Sequence, residues 1–307
     1  MSVGWVAASV RARAMANRRV GRAGARVLAA SVSFESAMST LTATPYGHDV
    51  RLDQSLAGAQ RAIVATVVWN LRVLAGWAPR RGVVMLRVLL GALEAANVED
   101  HLGRLAGSDP PPPYRLGGLA TAWPQLERTT SPGELRGVLA GSPWGDPGGE
   151  TVRDVGLAMR TSWADRAIAA APVCTPWMAG ATALLLAREA VLAGGRLPDR
   201  AAMSAARVVG SAAVAARTLP ELVAALSTTA RWVLADVTDP ADLWQAEAGW
   251  WRRIERDGFA WARQANPGPE VLVGAAAMMA ADAWRARAAL EVAARGGKPL
   301  EAFDAVA

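Results

Sequence analysis

The chain has 307 residues, 52% of them hydrophobic and 20% charged, and 33 basic against 27 acidic side chains leave a net charge of +6. A chain of this length holds one large domain or two to three small ones, and it can bury roughly 75% of its unfolded surface. Lys298 is the sole lysine and Cys174 the sole cysteine, and the two histidines are His48 and His101. These counts exclude a disulfide framework, a Cys/His zinc cage within one chain and a P-loop, because Lys298 is followed by Pro299.

No stretch of the sequence has the length or the residue order of a membrane segment. The longest apolar runs, 173–187 and 271–281, are interrupted by Pro176 or end at Asp282, whereas a spanning helix needs about 20 apolar residues. At the N-terminus the arginines follow the short apolar part, which is the reverse of a signal peptide. We therefore expect a soluble, cytoplasmic protein.

The predicted secondary structure is helical throughout. Alanine, leucine and arginine dominate the composition and favour helices, while runs of alternating β-branched and aromatic residues are nearly absent. The first predicted helix begins near Trp5 and is strongly basic. Four of its arginines are Arg11, Arg13, Arg18 and Arg19.

Two further segments have a clear helical pattern. From Leu56 to Leu74, apolar side chains recur at helical spacing. The pair Asp239-Pro240 forms an N-cap followed by proline at the first helical position. One stripe of the helix behind it holds three arginines, Arg252, Arg256 and Arg263. Breaks rich in proline or glycine separate helices of about 15–25 residues; they lie at 45–47, 109–113, 143–149, 194–198 and 266–269.

One of these breaks recurs along the chain. Leu41–Gly47 (LTATPYG) matches Leu139–Gly145 (LAGSPWG), and Leu226–Trp232 (LSTTARW) is a weaker third copy, at intervals of 98 and 87 residues. Each copy follows a helix that is polar at its start and apolar at its end. The alternative explanation is coincidence in a background rich in alanine and leucine.

A second marker gives the same period. A later apolar helix of each block has an acidic residue inside it, and these residues are Glu94, Glu189 and Asp282, at intervals of 95 and 93. Agreement between two independent markers predicts an all-α fold of three homologous helical bundles. Their bounds are 1–108, 114–198 and 199–307.

Few residues suggest chemistry. Glu94, Asn97 and His101 fall on one helical face, which fits an acid–base cluster or the polar edge of a helix, and the absence of a nucleophile favours the edge. His48-Asp49 resembles half of a triad, but no Gly-x-Ser-x-Gly elbow exists, so we interpret it as a turn. Cys174 is predicted to be a small core residue. We predict no catalytic residue, no cofactor and no metal ligand.

The order of the motifs resembles the C subunit of V-type and A-type rotary ATPases, whose eukaryotic relative is subunit d. Trp5–Arg26 is similar to the opening helix of that family, and Leu41–Gly47 to its L-x-x-T-x-Y segment. Glu94–Leu102 resembles its E-x-x-N-I helix, and Glu134–Gly145 its second E-L…T-x-Y element, with Trp144 in the place of a tyrosine-type aromatic residue. The resemblance covers essentially the whole chain.

This resemblance implies a non-catalytic subunit of an ion pump or ATP synthase, and not an enzyme. Family members are funnel-shaped, with three similar helical bundles around a pseudo-threefold axis. They lie on the cytoplasmic face of the membrane-embedded proteolipid ring and receive the central stalk of the ATPase head, so that torque is transmitted for proton or sodium transport. The expected partners are the stalk subunits and the proteolipid ring, with no nucleic acid and no small-molecule substrate.

The arginine clusters are the candidates for contact with these partners, because planar guanidinium groups bind carboxylates through two hydrogen bonds. The candidate residues are Arg11, Arg13, Arg18, Arg19, Arg252, Arg256 and Arg263. An alternative function is an arginine-rich helical scaffold that binds nucleic acid or an acidic membrane surface, with affinity that falls steeply with salt. An all-α enzyme of the terpenoid-synthase kind would need clustered aspartates, which the sequence lacks.

Overall fold

A computed structural model describes residues 3–297 and 300–306 of the chain, and these residues form helices and no β-strand. The predicted all-α class is confirmed, while Lys298 and Pro299 lie outside the described residues. The helices, in chain order, are α1 (Val3–Asn17), α2 (Gly21–Ala29), α3 (Phe34–Thr42), α4 (Leu56–Ala75), α5 (Arg80–Leu89), α6 (Gly91–Leu105), α7 (Trp123–Leu126), α8 (Pro132–Ala140), α9 (Val152–Ala170), α10 (Thr175–Leu186), α11 (Asp199–Val209), α12 (Ser211–Ala215), α13 (Leu219–Ala225), α14 (Thr228–Arg231), α15 (Leu243–Ala262), α16 (Pro269–Ala294) and α17 (Leu300–Val306).

Hydroxyl side chains begin many of these helices. At Ser33, Ser55, Ser131, Thr151 and Thr218, the side-chain oxygen accepts the backbone N–H three residues further on. Such a cap satisfies an N–H group that has no partner inside the helix, and each contributes about 1 kcal/mol. The sequence therefore encodes the starts of these five helices locally.

The predicted N-cap at Asp239 is confirmed, because its side chain accepts the N–H of Ala241 at 2.8 Å. It begins a short 3-10 turn, Pro240–Asp242, that leads into α15. The predicted helix lengths are only partly right. Six helices have 15 or more residues, but eight have nine or fewer, since caps and prolines divide segments that apolar spacing alone presents as continuous.

Two compact units form along the chain. The terminal unit combines the residues up to Leu86 with those from Trp251 onward, and the middle unit is Arg87–Trp250. The division into three bundles stays a prediction. No helix in the described ranges is both long enough and apolar enough to cross a bilayer.

Helix α16 is the centre of the terminal unit. It packs against α1, α2 and α4, and residues along nearly its whole length are buried. At Gly274 its backbone lies so close to α15 that a Cβ atom would stand 2.5 Å from the carbonyl oxygen of Gly258. Buried Leu28, Met38 and Ile63 complete this core.

The middle unit is built around α9 and α10. Helix α9 packs against α6, α10 and α11, and α10 packs against α14. One apolar cluster gathers Leu135, Leu139 and Val155 beside α6, and another includes Leu186 and Leu222. The capped helices of this unit therefore meet through their apolar faces.

Candidate functional site

Glu94 holds the start of a helix through three backbone N–H groups. The residue is fully buried in α6, and its carboxylate accepts hydrogen bonds from Thr121 N at 2.7 Å, Ala122 N at 2.5 Å and Trp123 N at 2.8 Å. The first N–H groups of a helix lack internal partners, and the helix dipole makes that end positive. A buried carboxylate is stabilised there, so Glu94 fixes α7 against α6.

Asp282 has the same role in the terminal unit. Its carboxylate accepts Val20 N at 3.1 Å and Gly21 N at 2.7 Å, at the start of α2. It also accepts the hydroxyl of Tyr46 at 2.9 Å. Burial raises the pKa of Tyr46 well above its usual range, and the Asp282 carboxylate adds to this rise. The phenol therefore stays protonated as a donor.

The third acid of the predicted series behaves differently. Glu189 lies in the π-helical turn Ala187–Leu192, and its side chain is 22% exposed. It forms an ion pair with Arg153, with 2.6 Å between Nη2 and Oε2. Two of the three acidic residues thus cap the N-terminus of a neighbouring helix, and the third forms an ion pair with an arginine.

The first two copies of the recurring break have the same hydrogen bonds. In the first, the hydroxyl of Thr44 donates to Leu41 O at 2.6 Å and accepts the N–H two residues on at 3.2 Å. In the second, the hydroxyl of Ser142 donates to Leu139 O at 2.8 Å and accepts the N–H two residues on at 3.1 Å. The third segment, Leu226–Trp232, instead contains the short helix α14.

The polar edge of α6 is buried within the fold. Glu94, Asn97 and His101 are all buried. Asn97 donates to Tyr114 O at 2.9 Å and accepts Tyr114 N at 2.7 Å, while His101 Nε2 lies 3.0 Å from Thr129 O. The three side chains bind the backbone of the segment that follows α6, which folds back over it.

The remaining sequence candidates have structural surroundings. His48 lies in the 3-10 turn Pro45–His48, as predicted; its Nδ1 is 2.8 Å from Asp49 Oδ2, and its ring stacks on Trp69 with 4.0 Å between centroids. Cys174 is fully buried in the core, and burial raises the pKa of its thiol to about 12. Both predictions, of a turn and of a core cysteine, are confirmed.

A cavity of about 340 Å³ lies beside the Asp282 cap in the terminal unit. It is lined by three of the candidate arginines, Arg11, Arg18 and Arg19, and by Tyr46, His48, Trp69, Asn70 and Asp282 among others. The arginines come from α1 and the residues just after it, and Trp69 and Asn70 come from α4. This is the largest concentration of candidate residues that the structure brings together.

The other candidate arginines lie elsewhere in the terminal unit. Arg13 donates from Nε to Ala262 O at 2.9 Å and from Nη2 to Gln264 O, so it joins α1 to the end of α15. Arg263 lies beside it, with its guanidinium 5.0 Å from the centre of the Phe259 ring.

Arg252 and Arg256 form an exposed pair on α15. They are one helical turn apart, and Arg256 lies 3.3 Å from the carboxylate of Asp257. Among the residues described, no group of three or more His, Cys, Asp or Glu side chains could hold a metal ion.

No model of a known protein family matches this chain, and no curated protein matches it. The candidate site therefore rests on its own geometry. Sequence reasoning identified Arg11, Arg18 and Arg19 as one basic group but missed Trp69 and Asn70. Their one sequence signal is their position on α4, where both lie outside the apolar stripe that includes Val67 and Leu71.

Proposed function

We propose that this protein is a non-catalytic central-stalk subunit of a V-type or A-type rotary ATPase. In this role it couples the stalk of the ATPase head to the proteolipid ring, on the cytoplasmic face of the membrane. Three similar helical bundles arranged around a pseudo-threefold axis would give the subunit its funnel shape. The proposal extends the resemblance of the motifs along the chain.

The observation that carries the proposal is the repetition of one local structure. The turns at Thr44 and Ser142 share the same pair of hydroxyl hydrogen bonds, and the helices before them have the same serine cap. Random alanine-rich sequence gives helices, but it does not give matched side-chain hydrogen bonds at matched positions. Internal repetition of this kind supports homologous bundles.

The two carboxylate caps add support of a second kind. Glu94 precedes the second predicted block and binds the backbone at its start, and Asp282 belongs to the third block and binds the backbone near the start of the first. In a cyclic arrangement each block would close on the next through its acid. The ion pair of Glu189 with Arg153, within the second block, departs from this rule.

Transmitting torque requires stiffness and firm contacts with partners rather than a reactive group. Well-packed helical cores deform little, and a buried carboxylate bound to a helix start holds neighbouring helices in one geometry. Exposed arginines such as Arg252 and Arg256 suit contact with acidic partner surfaces, because guanidinium groups bind carboxylates bidentately.

The proposal is tested by purifying the tagged chain from membranes of its native host and identifying bound proteins by mass spectrometry. Central-stalk and proteolipid subunits are expected to co-purify with it. The double variant Arg252→Glu, Arg256→Glu is expected to recover less of them than the control Arg72→Glu, which alters an exposed arginine on α4.

Recovery of nucleic acid without rotor subunits would contradict the proposal. Unchanged recovery of rotor subunits with the double variant would remove only Arg252 and Arg256 from the interface.

A further inference from the structure

We propose that the cavity lined by Arg11, Arg18 and Arg19 binds the phosphate group of a small molecule. This proposal is independent of the rotary function, and it concerns a ligand rather than a substrate. Three arginines line one cavity of about 340 Å³, and this volume is within the range of small-molecule sites.

The charge of the cavity favours an anion. Asp282 is the one acidic residue among those that line it. Its carboxylate already accepts two backbone N–H groups and the hydroxyl of Tyr46. The negative charge of Asp282 is thus engaged on the helix side, and the three arginines leave an excess of positive charge.

Arg19 supplies the most specific observation. Its Nε and Nη1 atoms are buried, and no described residue accepts a hydrogen bond from either of them. Buried N–H donors without acceptors destabilise a fold, especially on a charged group. A phosphate oxygen is a strong acceptor for such a charged donor, and phosphate is a common partner of arginine.

Arg11 and Arg18 line the same cavity and could also contact a bound phosphate. Arg11 lies on α1, and Arg18 follows directly after the end of this helix. Both are exposed, so their side chains are free to close over a bound group. One half-buried and two exposed arginines are therefore available to a bound phosphate.

The rest of the cavity has room for the group that carries the phosphate. Trp69 is 38% exposed and stacks on His48, and Asn70 lies next to it on α4. An accessible indole is a stacking surface for a flat ring. The lining therefore fits a phosphate monoester with a planar ring better than it fits bare phosphate.

The experiment is isothermal titration of the full chain with inorganic phosphate, adenosine 5′-monophosphate and adenosine. The monophosphate is expected to bind more tightly than phosphate, and adenosine is expected not to bind. Arg11→Gln, Arg18→Gln and Arg19→Gln are each expected to raise the Kd on the order of tenfold. Arg72→Gln, an exposed arginine on the same helix as Trp69, is the matched control and should leave the Kd unchanged.

A lipid headgroup is the other source of the same chemistry. Sedimentation with vesicles of phosphatidic acid in phosphatidylcholine separates it from a soluble ester, because headgroup binding predicts Arg19-dependent sedimentation that the monophosphate competes away. Either source supports the phosphate site.

Three results would overturn the proposal. They are the absence of binding by every phosphate compound at millimolar concentration, equal binding of adenosine and its monophosphate, and an unchanged Kd in the arginine variants. Circular dichroism checks folding. If Arg19→Gln does not fold, the exposed Arg11 and Arg18 variants decide the outcome.

Discussion

Glu94→Gln tests whether the buried carboxylates hold the helices of this protein in place. Oε2 of Glu94 accepts Thr121 N at 2.7 Å, and Oε1 accepts both Ala122 N at 2.5 Å and Trp123 N at 2.8 Å. Glutamine has nearly the same shape, but it replaces one oxygen with an NH₂ group. The substitution therefore changes charge and hydrogen bonding with little change in packing.

The size of the effect follows from these contacts. Glutamine can keep its oxygen on the side of Ala122 and Trp123, which places its NH₂ group against the N–H of Thr121. One hydrogen bond to a charged group is lost and a buried donor is left without an acceptor, which together cost about 3 kcal/mol. Loss of the negative charge also removes its attraction for the helix start.

Urea unfolding followed by circular dichroism measures this cost. The free energy of unfolding should fall by about 3 kcal/mol with little change in the slope against urea concentration. Glu127→Gln is the control, because Glu127 is exposed at the end of α7, and surface substitutions change stability by about 0.5 kcal/mol or less. If Glu94→Gln is as stable as Glu127→Gln, the carboxylate cap does not hold α7 and the reasoning fails.

Three further substitutions test other parts of the fold. Gly274→Ala should lower the free energy of unfolding by about 1–3 kcal/mol, because the new Cβ atom would lie 2.5 Å from the carbonyl oxygen of Gly258. The control is Gly137→Ala, whose Cβ atom would meet no other atom within 4 Å; it should raise the free energy of unfolding by about 0.5–1 kcal/mol. Equal urea midpoints for the two variants would refute the close approach of α15 and α16. Glu255→Gln should cost about 3 kcal/mol in the same assay, since it replaces the charged carboxylate 2.5 Å from the buried guanidinium of Arg285 with a neutral amide. A neutral result would show that this ion pair does not stabilise the unit. Burial raises the pKa of Cys174 to about 12, so its neutral thiol contributes stability below the ordinary thiol pKa of about 8.5, and this contribution is lost as the pH rises toward 12. Cys174→Ala should therefore reduce the loss of stability at alkaline pH. The native thiol should resist a disulfide reagent at pH 8 until urea is added, and rapid labelling of the native protein would contradict its burial.

The helices themselves could be predicted from local features of the sequence. The apolar stripe of α4 and the cap at Asp239 are local signals, and both predictions agree with the structure. Short helices such as α12 and α14 were missed, because their limits depend on neighbours in the fold rather than on a repeating apolar pattern.

The buried polar residues could not be placed from the sequence. Spacing put Glu94, Asn97 and His101 on one face of α6, but whether that face meets solvent depends on the segment at 114–129, which folds back over it. A polar stripe has the same spacing when it is solvated and when it binds backbone groups. Only the tertiary contact decides between them.

The cavity was beyond sequence reasoning for a similar reason. Arg11, Arg18 and Arg19 form an evident basic group, but Trp69 and Asn70 join them only because α1 and α4 meet in the terminal unit. Likewise, Asp282 reaches the start of α2 across more than 260 residues of chain. Long-range contacts of this kind leave no local pattern.

The central claim, that this chain couples an ATPase head to an ion-conducting ring, is tested most directly by ATP-driven ion pumping in membrane vesicles from cells that lack the chain. Pumping is expected to be lost while ATP hydrolysis by the head persists, and expression of the intact chain should restore pumping. Vesicles that pump equally well with and without the chain would contradict the account.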